Sequence, residues 1–174
     1  MSCHKIVDLK NAVLANTFLA LVFFGLMFPV TPAVAFDCYG IDVVDYGIYE
    51  TDFINWESAP KTDLGKIEMV SGKRLLRLTA HIPAKKGTQF GMRYVLNGEP
   101  EGEDVPILVK VSHSTTVNKK EIPMTNEWVT TKKIGSTAFD GWKFNAESDL
   151  ARGNWTIQIY YEGMKLAEKR FYAY

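Results

Sequence analysis

The sequence predicts an all-β fold, an antiparallel sandwich of two sheets with seven to nine strands. Three observations support this prediction. Apolar residues recur at every second position in several short segments, as on a strand with one buried face. Turn-forming residues follow one another about every 8 to 15 positions. Beyond the N-terminal 35 residues, no segment keeps helical spacing over three turns.

The N-terminal segment has the layout of a secretory signal peptide. Two lysines in the first ten residues precede an apolar run from Ala12 to Val30, and Ala33-Val34-Ala35 supplies a small-x-small cleavage site. A retained membrane anchor is the alternative, because the run approaches the roughly 20 residues that span a bilayer. Polar residues interrupt the run, so we favour cleavage before Phe36. The sequence therefore predicts a signal peptide at 1–35 and a β-sandwich domain at 36–174.

The predicted mature chain carries almost no net charge. Loss of the leader leaves 18 basic against 19 acidic residues, which provides no electrostatic attraction for nucleic acid. We expect a periplasmic or extracellular protein that does not insert into a membrane after cleavage. Cys3 leaves with the leader, so Cys38 has no intramolecular disulfide partner. We favour a small buried residue at Cys38 over an intermolecular bridge or a reactive thiol.

In the N-terminal half of the domain, the sequence pattern predicts strands that alternate with turns. A polar connector at 53–63 contains Trp56, and Ser71-Gly72 marks a turn. In the segment after that turn, we expect Leu76, Leu78, Ala80 and Ile82 to point inward. The predicted strands in this half are 41–52, 66–70, 74–82 and 90–96.

The second half repeats the pattern. Strands are predicted at 107–111, 128–134 and 139–144, with a connector at 117–127 between the first two. The loop before these strands, 99–104, contains four carboxylate side chains. Carboxylates can bind calcium. We favour a solvated hairpin loop there, because its length and ligand order differ from an EF-hand.

The final hairpin has the clearest pattern. Residues 154–161 place Trp155 and three further apolar side chains on one side, and Glu162-Gly163 turns the chain back. An uninterrupted register would bury Glu168 and Arg170, at a cost of several kcal/mol for each unpaired charge. We therefore predict a β-bulge, with one extra residue near Ala167-Glu168, that brings Phe171 opposite Trp155 and turns both charges outward.

The corner that precedes this hairpin has a sequence pattern that resembles known folds. Leu150-x-x-Gly153-x-Trp155 resembles the closing corner of immunoglobulin-like and fibronectin-type sandwiches, with Trp155 in the place of the usual tyrosine. The domain also resembles a family of small exported bacterial proteins whose domain is classed as of unknown function. That resemblance depends on Gly153-x-Trp155 and the pattern at 166–171. It implies an immunoglobulin-like sandwich and no catalytic residues.

The residues do not assemble a recognisable catalytic or metal motif. His81 and His113 are the two histidines beyond the leader, and zinc sites need three or four closely spaced ligands. We expect both to be exposed or hydrogen-bonded. Ser112 and His113 are adjacent, but neighbours on a strand point to opposite faces. The sequence predicts a protein that is not an enzyme and holds no metal or cofactor.

Aromatic residues supply the candidate contact site. Tyr160, Tyr172 and Tyr174 are expected on the face opposite Trp155, and Trp56 in its connector. Such side chains anchor protein partners or stack on sugars. We favour a protein–protein interaction module that uses a sheet edge or the tyrosine face. Its partner would be another envelope or secreted protein, or a second copy paired at an edge strand. The alternatives are a carbohydrate- or small-ligand-binding module and a hydrolase with an unrecognised site.

Overall fold

Nine strands form two facing sheets in the computed structural model, which describes residues 37–117 and 120–174. The predicted leader lies outside the described residues. Within the described part, no helix is long and apolar enough to cross a membrane. The strands are β1 Asp37–Ser58, β2 Lys66–Leu78, β3 His81–Ile82, β4 Gln89–Glu99, β5 Asp104–Val117, β6 Lys120–Lys133, β7 Thr137–Lys143, β8 Gly153–Tyr161 and β9 Met164–Ala173.

The predicted two-sheet sandwich is confirmed. One sheet has the order β2-β1-β4-β7 and the other β3-β9-β8-β5-β6, and every pair is antiparallel except β3 with β9. The alternating apolar residues of β4, β5 and β8 meet between the sheets and exclude water. The fully buried residues of these three strands include Phe90, Met92, Tyr94, Leu96, Val105, Ile107, Val109, Val111, Trp155, Ile157 and Ile159.

The final hairpin contains the predicted β-bulge. Ile159 pairs with Ala167 and Tyr160 with Lys165, so the extra residue is Leu166, one position before the predicted place. Phe171 therefore lies opposite Trp155, as expected. Glu168 and Arg170 point outward and form an ion pair at 3.0 Å. The same shift places Lys169 opposite the buried Ile157, on the inner side of an edge strand.

Trp155 closes the corner before this hairpin. Its indole N–H donates a 2.9 Å hydrogen bond to the carbonyl of Ala151, four residues upstream. A single 3-10 turn, Glu147–Asp149, precedes the corner. The Asp149 carboxylate accepts hydrogen bonds from the backbone N–H groups of Asn145 and Ala146, both at 2.8 Å. The indole thus makes the local bond that a tyrosine hydroxyl makes in related corners.

Two predicted connectors are largely strand, although 59–63 lies in the loop between β1 and β2 as predicted. β1 continues to Ser58, so Trp56 lies in a strand and pairs with Glu68. β5 and β6 pair without a break to the Val117–Lys120 end, so 120–127 belongs to β6 and is not a connector. Both segments lack a clear alternation because they belong to long strands near sheet edges, where neither face is fully buried.

The predicted turn at Ser71-Gly72 is an irregularity within β2. The β1–β2 register shifts beside it, between Glu50 and Asp52. Gly72 has φ of 56°, and a Cβ there would lie 2.1 Å from the Asp52 carboxylate. The positive φ favours glycine at this position, and a larger residue would also displace the flexible Asp52 side chain.

The predicted inward strand at 74–82 is also corrected. Leu76 and Leu78 are exposed, because β2 is an edge strand that pairs with β1 alone among the described strands. The chain then leaves the first sheet, and Ile82 is fully buried in β3 of the other sheet. Ala80 is partly buried against the core.

A long hairpin arm crosses one side of the sandwich. β1 pairs with β4 as far as Tyr49, and the following residues, 50–70, continue with β2 as what we call the β1–β2 arm. The tip of the arm bonds to β6: Glu127 N–H donates to the Lys61 carbonyl at 3.0 Å, and Asp63 N–H to the Asn126 side chain at 2.7 Å. The arm therefore links the two sheets on the β6–β7 side.

Candidate functional site

The three predicted tyrosines lie on the outer face of the second sheet but do not form one surface. Tyr160 lies next to the hairpin turn, whereas Tyr172 pairs with Asn154 at the far end of the hairpin. Six residues of strand separate these ends, a distance of about 20 Å. Tyr174 ends the chain beyond Tyr172, and these two are about half exposed. The polar pairs between the ends divide the tyrosines into two sites.

Trp56 lies elsewhere, on the β1–β2 arm. Its ring is 41% exposed, and Lys66 Nζ lies 4.5 Å from the ring centroid. Phe53 packs against the same ring with centroids 5.9 Å apart. The four predicted contact residues therefore occupy three separate places, and the candidate site must be built from other features.

The first feature is a stretch of β1 that pairs with a strand on one side only. β2 begins to pair with β1 at Gly47, so residues 37–46 have β4 on one side and no strand of the described chain on the other. We call this stretch the open edge. Tyr39, Val43 and Val44 are exposed along it, and both valines expose about half of their surface. The open edge therefore presents free backbone groups beside apolar side chains.

The core beneath the open edge is sealed by stacked side chains. The ring of Tyr46 contacts that of Phe171 edge to face, with centroids 6.4 Å apart. Lys169 Nζ lies 3.1 Å from the Tyr46 ring centroid, a cation–π contact. This arrangement keeps water from the core while leaving the backbone of the open edge accessible.

The second feature is a cleft between the β1–β2 arm and the β6–β7 side, which we call the arm cleft. It encloses a cavity of about 100 Å³ that opens to solvent. Trp128 and Trp142 lie in its lining with ring centroids 6.2 Å apart, and both are more than nine-tenths buried. Trp56 lies at its exposed rim. This volume is below the roughly 150 Å³ of an enclosed cavity that holds benzene, so a single bound ring would remain partly in solvent.

Two buried ion pairs line the arm cleft. Lys132 Nζ lies 3.1 Å from the Asp140 carboxylate, which also accepts a 2.6 Å hydrogen bond from the Tyr94 hydroxyl. Burial, and then the negative charge of Asp140, raise the pKa of Tyr94. Lys143 Nζ donates to Glu68 at 2.6 Å and holds the arm against β7. These pairs satisfy two of the three carboxylates that line the cleft.

The remaining lysines of the cleft have no carboxylate partner. Lys66 contacts the Trp56 ring, and Lys73 forms no ion pair with any described residue. Burial, followed by the nearby positive charge of Lys132, lowers the pKa of Lys73. The lining has four lysines against three acidic residues. The arm cleft is therefore an aromatic site with an excess of positive charge.

His113 is not exposed, and its Nδ1 has no hydrogen-bond partner in the described part of the chain. Of the two expected arrangements, exposure does not occur, because β5 places His113 on the inner face with Val109 and Val111, whereas a hydrogen bond with the backbone of Ser114 is present. Its ring stacks on Trp155, with centroids 3.9 Å apart. Burial lowers the pKa of His113. His81 is exposed, and no group of three metal-ligating side chains occurs in the described ranges.

The chain is similar to known proteins in sequence and in fold. The model of a family described as a domain of unknown function, DUF3859, matches residues 39–173. The chain belongs to this family. An immunoglobulin-like protein from Pseudomonas aeruginosa has a similar structure, with a TM-score of 0.50 and 21% identity, covering 83% of this chain and 100% of its own. No curated protein is significantly similar. The likeness confirms the immunoglobulin-like fold and assigns no activity.

Sequence reasoning missed both the open edge and the arm cleft. The lysines of the cleft come from β2, β6 and β7, and no local spacing connects them. One signal was present: Trp56 is an aromatic residue in a polar segment, and the cleft forms beside it. The open edge follows from where β2 ends, which residues 37–46 do not encode.

Proposed function

We propose that this domain is an exported, non-catalytic binding module that takes up an extended segment of another envelope or secreted protein at the open edge. One observation carries the proposal: ten residues of β1 have no strand partner on one side in the described part of the chain. An extended segment that pairs there gains main-chain hydrogen bonds, and side chains such as Val43 and Val44 supply apolar contacts.

Charge favours a different protein over a second copy at this edge. Asp37 and Asp42 are exposed on it, while Asp45 is neutralised by Arg93, whose hydrogen bonds lower the pKa of that carboxyl. Two copies paired antiparallel about the middle of this edge would bring their Asp42 side chains close together without a counter-charge. A partner segment with lysine or arginine near its apolar residues fits better.

The leader pattern supports export. Basic residues, an apolar run and Ala33-Val34-Ala35 precede β1, which starts at Asp37. Cys38 is buried at the start of β1, and its burial raises the pKa of the thiol. The cysteine is thus poorly placed for an intermolecular bridge, and the proposed complex is held without covalent bonds.

Site-specific cross-linking in the producing cell tests the proposal. A photoactivatable amino acid replaces Val44 in the full chain, leader included, and the matched position is Val129, an exposed valine of β6. We expect one discrete adduct with another exported protein at position 44 and none at 129. A peptide copied from the cross-linked segment should then bind the purified protein.

Three results would contradict the proposal. They are equal adducts at both positions, an adduct with a second copy of this chain alone, and a cross-linked peptide that does not bind. Fractionation of the same cells tests export, since the proposal requires the chain outside the cytoplasm.

A further inference from the structure

The arm cleft has unused positive charge. Each of its three carboxylates already has partners: Asp140 binds Lys132 and the Tyr94 hydroxyl, and Glu68 binds Lys143 and the Asn145 amide. The third, Asp149, accepts two backbone N–H groups. Lys73 and Lys66 therefore remain without an anionic partner in the described part of the chain.

A hydrogen-bond donor in the same cleft is also unused. The indole Nε1 of Trp142 is buried and has no acceptor among the described residues. Buried donors in folded proteins nearly always have a partner, whether protein, water or ligand. Trp142 lines the cleft and is 8% exposed, so an acceptor bound in the cleft would need a small shift of the indole to accept from the buried Nε1.

Flat apolar walls accompany these donors. Trp128 and Trp142 lie side by side in the lining, and Trp56 stands at the rim with Lys66 over its ring. Indole faces stack on flat or apolar ring faces, including those of sugars. The cleft thus combines a surface for a ring with donors for a negatively charged oxygen.

We propose that the arm cleft binds a small organic anion in which a carboxylate is attached to a ring. The carboxylate lies near Lys73, and the ring packs against the tryptophans. Cations are disfavoured by Lys66, Lys73 and the partly exposed Lys143, since nearby carboxylates are already paired. A neutral ring compound keeps the stacking contact but leaves the lysines unpaired, so it binds more weakly.

Isothermal titration of the full chain with two matched pairs of compounds tests the proposal. Benzoate is compared with benzamide, and galacturonate with galactose; each pair has the same ring with and without the negative charge. We expect saturable binding of at least one anion and at least tenfold weaker binding of its neutral partner. Which pair responds distinguishes an aromatic ligand from an acidic sugar.

Substitutions locate the binding. Lys73→Met should weaken binding of the responding anion at least tenfold, while Lys73→Arg retains most of it. Lys86→Met is the matched control, because Lys86 is an exposed lysine outside the cleft lining, and it should leave affinity unchanged. Lys73 is exposed, although part of its side chain is covered in the cleft, so its replacement should not prevent folding; an unchanged urea midpoint verifies this.

Absence of saturable binding by both anions, equal affinity for a neutral partner, or full affinity in Lys73→Met would each overturn the proposal. Its failure is separable from that of the protein-binding proposal. The open edge and the arm cleft share no residue, so Val44→Lys should leave anion affinity unchanged.

Discussion

Trp155 connects the corner before β8 with the centre of the core. Its N–H bonds to the Ala151 carbonyl, and its ring contacts Phe90 at a centroid distance of 5.7 Å and Phe144 at 5.4 Å. The ring also stacks with His113, with centroids 3.9 Å apart. One side chain therefore fixes the chain path into the last hairpin and also fills the space between the sheets.

Replacement of Trp155 should lower the free energy of unfolding substantially. Trp155→Phe removes the hydrogen bond to Ala151 and leaves a void, so we expect a loss of about 2–4 kcal/mol in the free energy of unfolding. Trp56→Phe, at the exposed tryptophan, should cost less than about 1 kcal/mol. Urea denaturation measures both. Equal losses in the two variants would show that the corner bond and the packing of Trp155 are unimportant.

His113 makes a pH-dependent contribution. Burial lowers its pKa in the folded protein, although the backbone hydrogen bond with Ser114 and the charges of Asp63 and Asp149 act in the opposite direction. The unfolded chain takes up a proton near pH 6.5. The stabilisation from neutral His113 is therefore complete above that pH and is lost as the pH falls toward the lowered folded value.

We expect His113→Phe to reduce this dependence, because phenylalanine still stacks on Trp155 and does not titrate. The wild-type protein should lose more stability between pH 7.5 and pH 5 than the variant, measured by urea midpoints. His81→Phe, at an exposed histidine, should retain the wild-type dependence. The account of His113 fails if His113→Phe and the wild type change in parallel.

The β1–β2 arm is held in place by a few contacts. Glu68 binds Lys143 at 2.6 Å and Asn145 at 3.2 Å, and the tip bonds to β6 through Lys61 and Asp63. Much of the arm surface is exposed, in contrast with the fully buried faces of β4 and β5. The arm should therefore open locally without unfolding of the sandwich.

Loss of the Glu68 contact should make this opening easier. Glu68→Ala leaves Lys143 without its partner, and we expect amide hydrogen exchange over 59–70 to become about 10- to 100-fold faster, equivalent to about 1–3 kcal/mol. Exchange in β5 should change little. Glu57→Ala, at an exposed position of the arm, is the control. Uniform acceleration in both regions would indicate global destabilisation instead.

Strand alternation predicted the elements with one fully buried face and failed for those at the edges. The inward residues of β4, β5 and β8 were correct, because burial there requires an apolar residue at every second position. The segment 53–63 lacks that requirement, since the arm is supported by polar contacts with β6 and β7. Leu76 and Leu78 were wrongly placed inward because the chain changes sheets only after Leu78.

At the scale of the whole molecule, the two long sides of the sandwich are covered differently. On one side the arm connects the sheets and encloses the arm cleft; on the other, residues 37–46 of β1 have no further strand partner among the described residues. The tyrosines expected to form a contact face were predicted on the correct face, but their separation along the hairpin depends on the register. Both candidate sites result from long-range pairing, which short sequence patterns do not record.

The affinity of the cross-linked partner segment for edge variants tests the central claim most directly. A lysine at an exposed edge opposes pairing with another strand, particularly with a basic one. Val44→Lys should weaken binding of the segment at least tenfold. Val129→Lys, the same substitution at an exposed valine of β6, should leave the affinity unchanged. Equal affinity of Val44→Lys and the wild type, with both variants folded, would contradict the claim that the open edge is the binding surface.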